Sequence, residues 1–259
     1  PVCAQRQLDG KIRGMIPFER KGTAQRRKNN PKAALLLTSP MVSMDFAEAA
    51  RRAEAKVEHH MRRRGRKTLL VSSIAENEGK STVAANIAIA LAEKHKKVLL
   101  VDGDLGKPAQ YKVFEENGKD RVSFDQVLRG ETAWQEAVHY NERDGIWEMF
   151  QFRPMRDAGK LLRENIIAAL TEAWKKEMDY IIIDCSPAAV SADAEIWVSA
   201  VDSVLLVVRE DWADVRVIND AVDMISQNET DFAGFVLNAF HKEWFQPTNR
   251  QEYTAVKER

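Results

Sequence analysis

Residues 68–108 read TLLVSSIAENEGKSTVAANIAIALAEKHKKVLLVDGDLGKP. The stretch begins with a short apolar run and a polar turn, continues with a helical pattern, and closes with a second apolar run that ends in Asp102-Gly103-Asp104. A strand, a helix and a strand in this order form a βαβ unit. We therefore predict an α/β fold, in which a doubly wound and mainly parallel sheet carries helices on both faces.

The turn before the helix has the residues of a phosphate-binding loop. Gly79 lets the backbone approach a phosphate, Lys80 reaches the β- and γ-phosphates, and the Ser81 hydroxyl is a ligand for Mg²⁺. The unpaired N–H groups at a helix N-terminus add a further attraction for phosphate. We therefore predict that the chain binds ATP and Mg²⁺. The predicted nucleotide-binding residues are Asn77, Glu78, Gly79, Lys80, Ser81, Thr82 and Asn238.

The loop departs from the usual pattern at one position. Five residues before Gly79, where a glycine is usual, the chain has Ile74. Asn77 is the residue ahead of Gly79 that best tolerates left-handed backbone geometry. Asn238 follows a later apolar run, and two interpretations stay open for it: its side chain binds an adenine edge, or it is a turn residue.

A third apolar run, Tyr180-Ile-Ile-Ile-Asp184, predicts a central strand that is buried on both faces. The acid at its carboxyl end belongs in the crevice where parallel sheets bind ligands, so Asp184 is predicted to help hold Mg²⁺. The alternative is an aspartate that only caps a strand end. Further strands are predicted at 201–208 and 234–238, with a helix at 214–226 between them.

Composition limits the other functions. Lysine plus arginine equals aspartate plus glutamate at 39 each, so net charge favours no nucleic-acid partner. Cys3 and Cys185 lie far apart in the sequence, which fits a reducing compartment. No apolar run approaches the roughly 18 residues of a membrane helix.

The first forty residues are basic, with nine lysines and arginines against Asp9 and Glu19. Within them, residues 11–18 predict a short strand that ends at a proline. The remainder is interpreted as a flexible tether or as a juxtamembrane segment on the cytoplasmic side. Because the sequence begins with Pro1, we expect a longer protein.

Residues 44–64 predict a helix with Asp45 as its cap. Glu48, Arg51, Arg52 and Glu54 have the spacing of ion pairs on a solvent-exposed face. The adjacent His59 and His60 are poorly placed to bind a metal together.

Two more features concern the core. Residues 160–176 predict one amphipathic helix. Its apolar face would consist of Leu161, Leu162, Ile166, Ala169, Leu170 and Trp174. The tryptophans at 134, 147, 174 and 197 are predicted to fill the core and its grooves.

The order of Lys80-Ser81-Thr82, Asp102-Gly103-Asp104 and Asp184 resembles the Walker A, Walker A′ and Walker B motifs of the bacterial tyrosine kinases (BY-kinases) of capsular and exopolysaccharide synthesis, which are P-loop NTPases of the deviant-Walker type. The resemblance covers about residues 42–240. It implies an ATP- and Mg²⁺-dependent protein-tyrosine autokinase that regulates polymerisation and export. It further implies a soluble portion at the cytoplasmic face of the inner membrane, working with a membrane co-polymerase domain, with no nucleic-acid partner.

The resemblance also implies roles for particular residues. Lys80, Asp102 and Asp104 would be catalytic, and Ser81, Asp102 and Asp184 would hold the metal ion. Which aspartate takes the tyrosine proton stays open. Glu48, Arg51 and Arg52 on the 45–60 helix would mediate a ring-like homo-oligomer, and Tyr253 would accept phosphate. The implied division is a basic juxtamembrane linker at 1–40, a P-loop kinase domain at 41–240 and a C-terminal tail at 241–259.

The chain differs from the family pattern in several places. Gly106 stands where an arginine is usual, Glu54 stands where the oligomerisation motif ends in arginine, and the tail has one tyrosine instead of a cluster. One alternative function is therefore a catalytically weak, ATP-binding assembly regulator. Another is a partition-type ATPase, although Ala75 occupies the position of the extra lysine of that class.

Overall fold

The computed structural model describes residues 8–19, 35–188, 191–210, 212–228 and 230–240. The described strands are β1 (Ile12–Pro17), β2 (Thr68–Ser73), β3 (Val98–Asp102), β4 (His139–Asn141), β5 (Ile146–Met149), β6 (Tyr180–Asp184), β7 (Ser203–Arg209) and β8 (Asp231–Phe240). The described helices are α1 (Met44–Arg63), α2 (Lys80–Ala92), α3 (Gln110–Val113), α4 (Phe124–Leu128), α5 (Trp134–Ala137), α6 (Ala158–Leu161), α7 (Glu164–Glu177), α8 (Ala192–Ala200) and α9 (Val215–Gln227).

The strands form one sheet in the order β1-β8-β7-β2-β6-β3-β5-β4. All neighbours are parallel except β4 and β5, which are antiparallel. The central strands β2, β3 and β6 are buried throughout, because their apolar side chains face a helical layer on each side. The predicted doubly wound α/β fold is confirmed.

Two hydrophobic clusters lie on opposite faces of the sheet. One packs α1 and α2 against the sheet, and the other packs α4, α5, α7, α8 and α9 against it. Trp134, Trp174 and Trp197 are buried in the second cluster, and Trp147 is half-buried at its edge. The prediction that the tryptophans fill the core and its grooves is confirmed.

Strand β1 extends the sheet beyond β8, and the predicted short strand before Phe18 is confirmed. Helix α1 crosses it closely, since a Cβ added to Gly14 would lie 2.3 Å from Cβ of Ala53. Part of the predicted 1–40 linker therefore belongs to the sheet. The predicted tail at 241–259 and the basic stretch at 20–34 lie outside the described residues.

Three local predictions are wrong. The N-cap of α1 is Ser43, whose hydroxyl accepts a hydrogen bond from the Phe46 N–H, and Asp45 lies in the first turn. The helix predicted at 160–176 is divided into α6 and α7, because Arg163 between them is extended. Of the predicted apolar face, Leu162 and Trp174 are buried and Leu161, Ile166 and Leu170 pack against the core, whereas Ala169 is exposed.

Candidate functional site

The loop between β2 and α2 has the backbone geometry that its sequence predicts. Asn77 has φ 64° and Gly79 has φ 89°, so both adopt the left-handed conformation. A Cβ at Gly79 would also lie 2.1 Å from Nδ2 of Asn238. Glycine is therefore required here by both the backbone conformation and the close approach of a neighbouring strand.

The side chain of Glu78 shapes the loop from inside. It is completely buried, and its carboxylate accepts hydrogen bonds from the N–H groups of Ile74 and Ala75 at 2.7 Å each and of Arg209 at 3.2 Å. Burial raises the pKa of Glu78, and these three hydrogen bonds oppose that rise. The carboxylate thus stabilises the loop through these hydrogen bonds. Only the backbone of Glu78 can contact a phosphate.

Asn238 lies within β8, next to Arg209 of β7, so the turn interpretation is wrong. Its Nδ2 donates a hydrogen bond to the Glu78 carbonyl oxygen at 2.8 Å. The side chain therefore supports the phosphate-binding loop directly. Adenine recognition by Asn238 stays a prediction.

Lys80, at the N-terminus of α2, lies among acidic side chains. Its Nζ is 3.3 Å from Oδ2 of Asp104, 3.3 Å from Oδ1 of Asp184 and 3.4 Å from the Ser81 hydroxyl. Burial lowers the pKa of Lys80, but the charges of Asp184, Asp104 and Asp102 outweigh it, so the pKa is raised. The ammonium group is therefore charged and is held beside the strand ends.

Asp102 and Asp184 are paired in register at the ends of β3 and β6. Asp102 is completely buried, and its Oδ2 accepts hydrogen bonds from the N–H groups of Ala109 and Gln110, both at 2.9 Å. Its Oδ1 is buried without a hydrogen-bond partner. Burial raises the pKa of Asp102 well above its ordinary value, and the charge of Asp184 raises it further. A cation would favour the ionised form of this pair.

Gln110 is a site residue that the sequence analysis missed. Its side chain is completely buried, and Nε2 donates hydrogen bonds to Oδ2 of Asp184 at 2.9 Å and to the Ser81 carbonyl at 3.0 Å. A polar residue at the start of a four-residue helix gives no periodic signal. Its place shortly after the Asp102-Gly103-Asp104 motif was the one available indication.

Trp197 and Gly103 fix the turn that holds the acids. The Trp197 indole N–H donates to the Gly103 carbonyl at 3.2 Å, and the Gly103 N–H donates to the Asp184 carbonyl at 2.7 Å. At the rim, Lys107 pairs with Glu76, and its backbone N–H donates to Oδ1 of Asp104 at 2.9 Å. The turn after β3 is thus tied to β6 and to the phosphate-binding loop.

The residues of this site suit a magnesium nucleotide. In the described part of the chain, no three carboxylate, imidazole or thiolate side chains converge closely enough to hold a metal ion alone. A magnesium ion keeps several waters and takes further ligands from phosphate, so it needs few protein ligands. Oδ1 of Asp102 and Oε1 of Gln110 are buried acceptors without a protein partner, as expected of atoms that accept hydrogen bonds from such waters.

The residues predicted for oligomerisation lie on α1. Glu48 and Arg52 form an exposed ion pair. Arg51 instead forms two hydrogen bonds, of 2.8 Å each, with Glu93 at the end of α2. Glu54 was predicted on a solvent-exposed face, and this is wrong, because it is completely buried beneath Lys94. Arg51 and Glu54 of the motif therefore make their contacts within the chain itself.

Ser81 and Thr82 lie in the first turn of α2 and are half-buried. The Ser81 hydroxyl is beside Nζ of Lys80. Tyr253 lies outside the described residues. No helix in the described ranges has both the length and the apolar character needed to cross a bilayer.

The profile of an AAA domain family, AAA_31, matches residues 67–230, from the residue before β2 to the residue before β8. The chain belongs to this AAA domain family. The match contains the phosphate-binding loop and the strands that end in Asp102 and Asp184. Of the predicted nucleotide-binding residues, Asn238 lies beyond it.

Individual proteins similar to this AAA domain chain agree with the predicted resemblance to BY-kinases. A tyrosine-protein kinase candidate from the cps region of Klebsiella pneumoniae is 27% identical over 219 residues, which are 84% of this chain and 30% of that protein. The tyrosine-protein kinase YwqD of Bacillus subtilis is 27% identical over 180 residues, which are 66% of this chain and 72% of that protein. The chain thus spans less than a third of the length of the Klebsiella protein.

A solved structure shows the same fold. The kinase domain of the Escherichia coli tyrosine kinase ETK is similar with a TM-score of 0.80 and 19% sequence identity, over 94% of this chain and 96% of that domain. The predicted resemblance to the BY-kinases is therefore confirmed.

Proposed function

We propose that this chain is the ATP- and Mg²⁺-dependent protein-tyrosine autokinase portion of a regulator of capsular or exopolysaccharide polymerisation and export. The observation that carries the proposal is the position of the Lys80 ammonium group. It lies 3.3 Å from both Asp104 and Asp184, at the N-terminus of α2. The names of the Klebsiella and Bacillus relatives support the same activity.

The proposed roles follow from the contacts of each residue. The backbone of residues 77–82 and Nζ of Lys80 bind the ATP phosphates. Asn238, which is hydrogen-bonded to the loop, contacts the adenine base. Ser81, Asp102 and Asp184 hold Mg²⁺ directly or through water. The metal ion supplies positive charge that offsets the negative charge developing on the phosphates during transfer.

Phosphoryl transfer requires alignment and a proton acceptor. The tyrosine oxygen bonds to the γ-phosphorus, the bond from that phosphorus to the β,γ-bridging oxygen breaks, and ADP leaves. The phenolic proton, whose ordinary pKa is near 10, passes to a carboxylate. Asp102 is completely buried whereas Asp104 is 6% exposed, so Asp104 is the more accessible base.

The acceptor in this proposal is Tyr253, presented by a neighbouring copy in a ring-like homo-oligomer. Helix α1 would contribute Glu48 and Arg52 to the contact, since both side chains are exposed. Arg51 would first have to leave Glu93. We place the chain at the cytoplasmic face of the inner membrane, with a co-polymerase domain of the same or a partner chain.

A second candidate function is an ATP-binding assembly regulator with little kinase activity. Gly106 favours it, because it stands where the family pattern has an arginine. Among the folded tyrosines, Tyr180 is buried, Tyr111 is half-buried and Tyr140 is exposed on the edge strand β4. Ala75 stands where the partition-type ATPases have their extra lysine, which argues against that class.

The test is incubation of the purified chain with γ-labelled ATP, followed by detection of phosphotyrosine. We expect label on Tyr253, its loss in Tyr253→Phe, and no label in Lys80→Met. Lys96→Met is the matched control, because Lys96 is exposed in the loop that follows the far end of α2, and this variant should keep full labelling. Bound ATP without transfer would instead support the assembly regulator, and label that survives Lys80→Met would refute the site.

A further inference from the structure

Gln110 makes contact with each of the three residues predicted to hold Mg²⁺. Its side-chain N–H groups donate to Oδ2 of Asp184 and to the carbonyl oxygen of Ser81. Its backbone N–H donates to Oδ2 of Asp102. Three segments that are far apart in sequence, the start of α2 and the ends of β3 and β6, are therefore joined through one residue.

The orientation of the Gln110 amide is fixed by its neighbours. Both groups beside Nε2, the Asp184 carboxylate and the Ser81 carbonyl, are hydrogen-bond acceptors. A flipped amide would place its oxygen against two oxygens, so the amide NH₂ group must face them. Oε1 is consequently directed elsewhere, and it is buried without a partner.

This arrangement leaves two buried acceptors without a partner among the protein groups. A buried acceptor without a hydrogen bond is unfavourable, and most such atoms in folded proteins find a partner. Here two of them, Oε1 of Gln110 and Oδ1 of Asp102, belong to residues that are directly hydrogen-bonded to each other. Waters bound to a divalent cation are strong donors that would satisfy both atoms.

We infer that Gln110 is a positioning residue for a hydrated magnesium ion. It holds Asp184 so that Oδ1 faces Lys80 and the phosphate side, it fixes the turn that carries the Ser81 hydroxyl, and its Oε1 accepts a hydrogen bond from a metal-bound water. The inference rests on the proposed ATP binding, and it assigns to Gln110 the magnesium dependence of that binding.

The experiment measures the affinity for a fluorescent ADP analogue with saturating Mg²⁺ and with EDTA, and takes the ratio of the two dissociation constants as the magnesium effect. In Gln110→Met, which keeps the length of the side chain but neither donor nor acceptor, we expect this effect to fall about tenfold. The affinity in EDTA should change less than about threefold, because the loop, Lys80 and the start of α2 are still present.

Gln151→Met is the matched control. Gln151 is also a buried glutamine, and it makes hydrogen bonds with Ser123, Asp125 and Arg153 away from the site. Its replacement should leave the magnesium effect unchanged. Should Gln110→Met fail to fold, Gln110→Asn is measured instead, because its amide is one methylene too short to reach both partners.

The outcomes separate this inference from the proposed function. A magnesium effect in Gln110→Met or Gln110→Asn that equals the wild-type effect overturns the role of Gln110 and leaves ATP binding standing. An equal loss in Gln151→Met also overturns it, because any buried amide would then matter. If the wild-type chain binds no nucleotide under either condition, the proposed function and the inference both fall.

Discussion

The Nζ of Lys94 lies 2.6 Å from Oε2 of Glu54, whose side chain is completely buried between α1 and the end of α2. Burial raises the pKa of Glu54, while Lys94 lowers it. The pair joins two helices on the same face of the sheet. A residue predicted on the solvent-exposed face of α1 thus stabilises the packing of that helix.

Because Glu54 is paired with Lys94, we expect that replacing it with the arginine of the family motif will destabilise the fold. Glu54→Arg would place a buried cation beside Lys94, and breaking a buried pair in this way costs about 3–5 kcal/mol. We expect a correspondingly lower free energy of unfolding in urea. Glu48→Arg, on the exposed part of α1, should change it by less than about 0.5 kcal/mol. Equal stability of the two variants would contradict the structural role of Glu54.

Changing the Glu78 carboxylate should weaken nucleotide binding, although this side chain makes no contact with the nucleotide. In Glu78→Gln one acceptor oxygen becomes an NH₂ group, which faces the backbone N–H donors of the loop. We expect the affinity for a fluorescent ADP analogue to fall roughly tenfold, since a buried donor left without an acceptor costs about 1–3 kcal/mol. Glu76→Gln alters an exposed side chain of the same loop and should bind nearly normally. Wild-type affinity in Glu78→Gln would refute this role.

Glu148 predicts a dependence of stability on pH. It is completely buried on β5, and burial raises its pKa to about 7 despite a hydrogen bond from Asn141. The folded chain therefore binds this proton more tightly than the unfolded chain. The stability from this group is complete below about pH 4.5 and is lost as the pH rises through 7. The loss is about 3 kcal/mol, because the shift from 4.5 to about 7 corresponds to about 1.4 kcal/mol per pKa unit.

The measurement compares wild type with Glu148→Gln, which does not titrate, by urea unfolding between pH 5 and 8.5. The variant should gain stability relative to the wild type as the pH rises. Other titrating groups contribute equally to both proteins and cancel in the difference. A difference that is constant over this range would contradict a raised pKa for Glu148.

Because Gly14 of β1 lies against Ala53 of α1, we expect that no side chain is tolerated at position 14. The Cβ of Gly14→Ala would force α1 away from the edge of the sheet, at a cost of about 1–3 kcal/mol. Gly106→Ala is the control for stability, because the nearest atom to its Cβ would be 3.9 Å away. Unchanged stability in Gly14→Ala would show that α1 packs more loosely on β1.

The sequence alone predicted the elements that carry the phosphate-binding site. The apolar runs before Asp102 and Asp184 and the Gly79-Lys80-Ser81 turn are local features, and the two strands and the helix that they predict are all present. Buried parallel strands must be apolar along their whole length, and a helix must begin where its N–H groups can bind a phosphate. Both conditions can be recognised in the sequence, as apolar runs and as the Gly-Lys-Ser turn.

The contacts inside the site depended on the tertiary structure. The side-chain partners of Gln110 are 29 and 74 residues away, and Lys94 is 40 residues from Glu54. Gln110 reaches Ser81 and Asp184 together because the sheet places β6 between β2 and β3. The same holds for β1, which joins the sheet only through β8 near the end of the described chain. The sequence therefore determined which acids end which strands, whereas the order and register of the strands decided which of those acids touch Lys80 and which residue holds them there. Strand order arises from long-range packing, and no local pattern encodes it.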